Sequence, residues 1–193
     1  EGEMSGKEFA IDFIASFYQQ VIAYYTGEKS RIRDAIDKDK DIELDEIVNV
    51  IKKSDLKHKE LMLRKINRYI ARLQEDNSPY LYVQMATGAP DAFANKPGVK
   101  ENVLQIIDEF QYFNSEVDAG REDIPSKCYM STAESKVAPL LVTGSLMGVI
   151  ANDLMKYTPQ RFNVMDIPKM DEKETKAMIK NYARIYGHDL TDN

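Results

Sequence analysis

The sequence predicts an all-α protein, a single irregular bundle of six or seven helices over residues 1–193 with a central apolar helix near residues 132–157. Three observations predict this class. Apolar residues recur at the spacing of three and four residues that is typical of amphipathic helices. No pair of segments shows the alternation expected of a strand ladder. Hydrophobic residues make up 43% of the chain and charged residues 30%, so a sizeable core is expected.

The first helix is delimited by its capping residues. Ser5 and Glu8 form the S-x-x-E pattern of a capping box, which predicts a helix start. Apolar residues at helical spacing follow, and Gly27 is placed to end the helix. A short helix near residues 28–37 is expected next.

Two further helices are predicted before the first proline. Leucine, isoleucine and valine residues mark a third helix over residues 44–51, with Asp41 as its N-cap. Ser54 or Asp55 can cap a fourth helix. The apolar residues of this helix, between positions 56 and 73, are spaced to face inward.

The middle of the chain alternates between helical and irregular predictions. Residues 80–86 are ambiguous between a short helix and a strand, and their helical surroundings favour a helix. Residues 87–98 contain two glycines and two prolines, which predicts a loop. Apolar spacing predicts a helix over residues 99–117, and residues 121–130 are expected to form an irregular link.

The most apolar segment is expected to be the buried centre of the fold. Ser131 to Glu134 matches a second capping box and opens the central helix, in which Pro139 favours a kink. Gly144 and Gly148 lie one turn apart, which indicates a close crossing with a neighbouring helix. The apolar run from Val137 to Ile150 is about 14 residues long. A membrane span needs ~20 residues, so none is predicted.

A last helix is predicted near the C-terminus. Asp171 is placed as its N-cap and Gly187 as its end. The residues predicted to face inward are Met178, Ile179, Tyr182 and Tyr186.

Composition limits the function classes. The net charge of −6 and the pI of about 5.1 disfavour general binding of nucleic acid, because phosphates repel an acidic chain. The single cysteine, Cys128, excludes an intramolecular disulfide and a cysteine-rich zinc site. The compartment is left unknown: we expect a cytoplasmic protein or, if a targeting segment was removed before Glu1, an exported one. The sequence leaves the oligomeric state open.

Residues 37–48 begin like the calcium loop of an EF-hand, with three aspartates at alternate positions. Such a loop has glycine at its sixth position and a bidentate glutamate at its twelfth. This sequence has Ile42 and Val48 there, so no calcium site is predicted. The acidic residues are instead expected to stabilise the start of the third helix. No other metal or cofactor site is predicted.

Basic residues concentrate between Lys52 and Arg72, where eight of them accompany two acidic residues. Arg64, Arg68 and Arg72 are four residues apart and therefore share one stripe of the fourth helix. Two interpretations stay open. The stripe is either a solvated face with internal ion pairs such as Glu60–Arg64, or a surface that meets an acidic partner protein or a phosphorylated ligand.

Aromatic residues accumulate near the predicted loop, where they suit either a binding surface or half-buried packing. We therefore predict a non-enzymatic interaction protein of the immunity, effector-like or cell-envelope accessory type. It would recognise a protein partner or a small ligand through Arg64, Arg68, Arg72, Tyr80, Tyr82 and Phe93. The alternative is a small helical enzyme, hydrolytic or metal-assisted, that uses His58 or Cys128. Against it, the chain has two histidines and no recognisable catalytic motif.

Overall fold

The computed structural model describes residues 4–31, 43–117, 124–145, 148, 152, 154, 156–157, 162–165, 167–185 and 187. The described residues include eight helices with defined bounds and two short strands, which confirms the predicted all-α class. In chain order these elements are α1 (Gly6–Thr26), α2 (Leu44–Lys53), α3 (Lys59–Gln74), α4 (Pro79–Thr87), α5 (Ala89–Ala94), β1 (Gln105–Ile107), α6 (Phe110–Glu116), α7 (Ile124–Thr132), β2 (Leu140–Val142) and α8 (Glu172–Ile185).

Helix α1 starts and ends as predicted. The Ser5 Oγ accepts a hydrogen bond from the Glu8 N–H at 3.2 Å, and the Glu8 carboxylate accepts one from the Ser5 N–H at 2.9 Å. This reciprocal pair is a capping box. At the other end, Gly27 has a φ of 75° and its N–H donates to the Ala23 carbonyl at 2.8 Å. Glycine adopts this left-handed conformation without steric cost, so the helix ends there.

Helix α1 is the centre of the largest hydrophobic core. It packs against α2, α3, α4 and α5. Along its length, Ala10, Ile14, Tyr18 and Ile22 are completely buried. Their spacing of four residues places them on one face of the helix. The core that they form also holds buried residues from α2, α3 and α4.

The prediction of one helix over residues 132–157 is wrong in its first half. Helix α7 ends at Thr132, and Leu140–Val142 is strand β2, which pairs in parallel with β1. Pro139 has no N–H for a helical hydrogen bond. Its carbonyl accepts instead from the Gln105 N–H at 2.9 Å, and the Val137 carbonyl accepts from Val103 at 2.8 Å. Pairing with a distant segment therefore replaces the predicted helix.

The expected close crossing at the two glycines is also absent. Gly144 follows β2 outside any helix. Gly148 is helical and exposed, and a Cβ atom added there would meet nothing within 4 Å. Asn152, Leu154, Lys156 and Tyr157 are also helical, so the second half of the prediction holds where the structure describes it.

Three predictions for the middle of the chain are corrected. The predicted loop 87–98 contains helix α5, and the predicted link 121–130 contains most of α7. Pro90 and Pro125 stand in the first turns of these helices, where proline is well tolerated. The predicted helix 99–117 is irregular up to β1 and becomes helical only at Phe110. The ambiguous segment 80–86 lies in helix α4, as predicted.

The starts of α2 and α3 differ from the prediction. The position of Asp41 lies outside the described residues, as does most of the predicted helix near 28–37, and Glu43 occupies the N-cap position of α2. Ser54 does not cap α3, because its hydroxyl donates to the Val50 carbonyl at 2.7 Å at the end of α2. Helix α3 begins at Lys59, after His58.

Contacts divide the chain into two compact units, residues 1–162 and 163–193. In the second unit, Asp171 caps α8 as predicted, since its carboxylate accepts from the Glu174 N–H at 2.7 Å. The residues predicted to face inward are exposed instead, namely Met178, Ile179 and Tyr182. Tyr186 lies outside the described residues. The prediction of one domain over residues 1–193 stays a prediction.

The hydroxyl of Tyr82 gives a first test of the fold. It donates to the Glu75 carbonyl at 2.6 Å and accepts from the Asn77 N–H at 3.2 Å, so it closes the turn between α3 and α4. We expect Tyr82→Phe to lower the free energy of unfolding by about 1–3 kcal/mol, because two polar backbone groups lose their partner. Urea denaturation measures this loss.

Tyr24→Phe is the matched control, because the Tyr24 ring is mostly exposed. An exposed substitution of this kind changes stability by less than about 0.5 kcal/mol. Equal urea midpoints for both variants would contradict the assigned role of Tyr82.

Candidate functional site

A cleft of about 530 Å³ opens between α3 and α4. Lys65, Arg68 and Arg72 line it from α3, and Leu81 and Gln84 line it from α4. The turn between the two helices closes the cleft at one end. This site therefore has one basic wall and one wall that is partly apolar.

The spacing of the basic residues explains the basic wall. Lys65, Arg68 and Arg72 stand at positions i, i+3 and i+7, so they lie on the same face of α3. Ile66 and Leu73 on the buried side of the helix belong to the core around α1. Burial of that apolar side leaves the basic face pointing into the cleft.

The turn between α3 and α4 is held by hydrogen bonds at the cleft. Besides the two contacts of the Tyr82 hydroxyl, the Asn77 side-chain amide donates to the Arg72 carbonyl at 3.0 Å. Arg72, Asn77 and Tyr82 all line the cleft. The same bonds that end α3 therefore fix the position of this end of the cleft.

The positive charge of the cleft is not neutralised by ion pairs in the described part of the chain. The ion pairs there join Arg31 to Glu28, Lys57 to Glu101 and Lys176 to Glu172, beside a 3.7 Å contact of His58 with Glu101. None includes a basic residue of the cleft, and the ion pair expected between Glu60 and Arg64 is not formed. Glu75 is the acidic residue of the lining.

The protonation of Lys65 reflects this excess of positive charge. Burial lowers the pKa of Lys65 first, because a charged ammonium loses hydration inside the cleft. The neighbouring positive charges of Lys96, Arg68 and Arg64 lower the same pKa further. A cluster of cations that repel one another in this way is a favourable place for an anion.

The structure brings together three of the six residues predicted to bind a partner. Arg68, Arg72 and Tyr82 line the cleft. Arg64 is exposed on α3 outside the lining. Tyr80 is partly exposed on α4, and its carbonyl lies 3.7 Å from the Cys128 sulfur.

Phe93 is a core residue. Its buried ring contacts Phe17, Tyr18 and His58 at centroid distances of 6.0, 6.3 and 6.4 Å. Sequence reasoning missed Lys65, Asn77 and Gln84 as lining residues of the cleft. The spacing of Lys65 from Arg68 and Arg72 was the available signal for the first of them.

His58 lies at a different place, beside a hollow of about 420 Å³ whose lining includes Tyr25, Phe93 and Glu101. It has a φ of 60°, and its buried Nε2 is 3.7 Å from a Glu101 carboxylate oxygen, too far for a hydrogen bond. A hydrogen bond from Lys57 lowers the pKa of Glu101 to about 2. Glu101 is therefore an anion paired mainly with Lys57.

Cys128 does not join His58 in a catalytic pair. The thiol is 1% exposed and packs with Val83, Val117 and Ile124 in a separate cluster. Burial raises the pKa of Cys128 to about 12, so the reactive thiolate is scarce at neutral pH. The two residues of the enzyme hypothesis thus lie in different clusters.

Two further features concern the part of the chain that the structure describes, namely metal ligands and membrane-spanning helices. No group of three or more histidine, cysteine or carboxylate side chains there is arranged to hold a metal ion. The aspartates of the loop at residues 37–41 lie outside the described residues. No described helix is long and apolar enough to cross a membrane.

No protein-family model matches this chain, and comparison with curated proteins and with solved structures gives no match. The cleft is therefore the feature of the described chain that points to a function. Its basic side chains, amide groups and apolar wall can bind and orient a ligand. The cleft lining itself includes neither His58 nor Cys128.

The accessibility of Cys128 gives a second prediction. We expect its reaction with a disulfide reagent such as Ellman's reagent at neutral pH to be slow in the folded protein, because the thiol is buried and its pKa is raised. Addition of denaturing urea should expose the thiol and accelerate the reaction strongly. Rapid reaction without urea would contradict the burial of Cys128.

Lys65→Gln gives a third prediction, on stability. The folded-state pKa of Lys65 is below its unfolded value of 10.5, so protonated Lys65 disfavours folding at neutral pH. We expect the variant to gain at most about 0.5 kcal/mol at neutral pH, because it loses the desolvation penalty of the ammonium and its repulsion by neighbouring cations, both of which solvent screens at this partly exposed site. This gain should shrink as the pH rises towards 10.5, because Lys65 of the parent protein loses its proton in that range and becomes neutral like the glutamine.

Lys136→Gln is the control for loss of a lysine charge, because Lys136 is exposed between α7 and β2. Urea denaturation at several pH values should show no comparable gain for it. Destabilisation by Lys65→Gln at neutral pH would contradict the electrostatic account of the cleft.

Proposed function

We propose that the protein is a non-enzymatic binding protein whose α3–α4 cleft takes a small organic anion carrying a phosphate group or several carboxylates. The observation that carries this proposal is the convergence of Lys65, Arg68 and Arg72 on one wall, without an ion-pair partner among the described residues. The chain as a whole has a net charge of −6. A local excess of positive charge therefore contrasts with the rest of the molecule.

The chemistry of the wall suits phosphate and carboxylate groups. An arginine guanidinium donates two parallel hydrogen bonds to such an anion, and these charge-assisted bonds are stronger than neutral ones. Arg68 and Arg72 supply two guanidinium groups one helical turn apart, and Lys65 adds an ammonium group. A ligand with more than one negatively charged oxygen can engage all three.

The remaining surface of the cleft suits the organic part of such a ligand. Leu81 and Met85 offer apolar contacts, and the side chains of Asn77 and Gln84 offer amide donors and acceptors. The volume of about 530 Å³ is that of a small-ligand pocket rather than of a flat protein interface. These features favour a small ligand over an acidic segment of a partner protein.

Calorimetric titration with pyrophosphate, citrate and a hexa-aspartate peptide at constant ionic strength tests the proposal. We expect pyrophosphate or citrate to bind more tightly than the peptide. Arg68→Gln and Arg72→Gln should each weaken that binding roughly tenfold or more, because each removes charge-assisted hydrogen bonds of about 1.5–3 kcal/mol.

Arg64→Gln is the matched control, since it removes the same charge from the same helix outside the cleft lining. Solvent and salt screen the charge of this exposed residue, so its effect should be small. The proposal would be contradicted if neither pyrophosphate nor citrate bound. So would equal losses in all three variants, and tightest binding of the peptide would assign the cleft to a protein partner instead.

A further inference from the structure

We propose that the outer edge of β1 binds an extended, apolar peptide segment of a partner protein, which adds a third strand to the sheet. This inference is independent of the anion proposed for the α3–α4 cleft. It rests on the free hydrogen-bonding edge of β1, on an uncovered apolar face and on an uncharged groove that follows the same edge.

The hydrogen bonds of β1 show which of its residues face outward. The Gln105 N–H donates to the Pro139 carbonyl at 2.9 Å, and the Ile107 carbonyl accepts from the Thr143 N–H at 2.9 Å. In a parallel pair, alternate residues of a strand bond to the same neighbour. The N–H and C=O groups of Leu104 and Ile106 therefore point away from β2, and they form no hydrogen bond with the other described residues.

The outward face of the sheet is apolar and uncovered. Leu104 is 57% exposed, Ile106 62% and Leu141 47%, and Ile106 stands opposite Leu141 in the register. On the other face, Ile107, Leu140 and Val142 pack in a cluster that includes Phe110 and Tyr129. Parallel sheets are normally covered on both faces, and a two-stranded sheet is marginal alone. This sheet thus lacks one of its usual contacts.

A groove of about 200 Å³ between α1 and β1 identifies the chemistry of the occupant. Its walls include Phe13 and Phe17 from α1 and Pro90 from α5, and its lining contains no charged side chain. In an extended segment every second side chain points the same way. A segment paired with Leu104 and Ile106 would therefore place an uncharged apolar side chain in this groove.

A second copy of the chain fits this edge poorly. Its own β1 is flanked by its own α1 and α5, which form the groove walls. Pairing of two β1 edges would have to accommodate the α1 and α5 helices of both copies at the same seam. A single extended segment has no such flanking helices, so the geometry favours strand addition by a peptide.

Selection of random twelve-residue peptides displayed on phage, against the immobilised full chain, supplies the probe. We expect the selected peptides to share alternating apolar residues. Ile106→Pro removes the outward N–H of β1 and leaves the hydrogen bonds between β1 and β2 in place, so the variant should fold. It should bind the selected peptide roughly tenfold more weakly than the parent, since a backbone hydrogen bond is lost.

N-methylation of the selected peptide tests the same point on the unaltered protein. Methylation of the backbone amides in one set of alternate peptide residues should abolish binding, because those N–H groups face β1. Methylation of the other set should leave binding intact. Equal effects of methylation in the two sets would overturn the proposal. So would undiminished binding of the peptide by Ile106→Pro, or a selection that yields no peptides with alternating apolar residues. If light scattering shows that the parent chain is a dimer and that Ile106→Pro is a monomer, the proposal is also overturned. The partner at the β1 edge would then be a second copy of the chain and not a peptide.

Discussion

The packing of α1 is the interaction on which the rest of the structure depends. Tyr18, which is completely buried in α1, has its ring 6.4 Å from that of Tyr69 in α3 and 6.3 Å from that of Phe93 in α5. Tyr69 also lines the α3–α4 cleft. Aromatic contacts of this kind contribute about 0.5–1.5 kcal/mol each beyond the burial of their area. The core around α1 therefore positions the cleft wall directly.

The same core makes the charge of the cleft tolerable. Helix α3 buries Met62, Ile66, Tyr69 and Leu73, and the burial of one such side chain stabilises by about 1.5–3 kcal/mol. Repulsion among the basic residues on its other side costs only a few tenths of a kcal/mol per pair, roughly the value for like charges one turn apart. The fold can therefore keep a cluster of positive charge that stability alone would not favour.

Local patterns in the sequence predicted the elements whose causes are local. Residues within one or two turns determine the capping box at Ser5, the N-cap at Asp171 and the apolar spacing of α1 and α3. The capping box predicted at Ser131 is wrong, because Ser131 lies in the last turn of α7 and does not open a helix. The β1–β2 pair could not be predicted in this way, because Gln105 meets Leu140, 35 positions away in the chain. The apolar spacing of α8 predicted a helix correctly, but Met178, Ile179 and Tyr182 are exposed, so their predicted burial was wrong. For the candidate site, Arg68 and Arg72 were found because helical spacing aligns them. The contribution of Asn77 and Gln84 depends on the angle between two helices, which no local pattern contains.

The central proposal is that the α3–α4 cleft binds an anion. Two-dimensional NMR of the uniformly ¹⁵N-labelled chain, titrated with pyrophosphate against a chloride control of equal ionic strength, tests this directly. The predicted result is a saturable set of shift changes at the side chains of Arg68 and Arg72 and at the backbone amides around Asn77. Changes spread evenly over the lysines and arginines of the surface, or no changes beyond those caused by chloride, would contradict it.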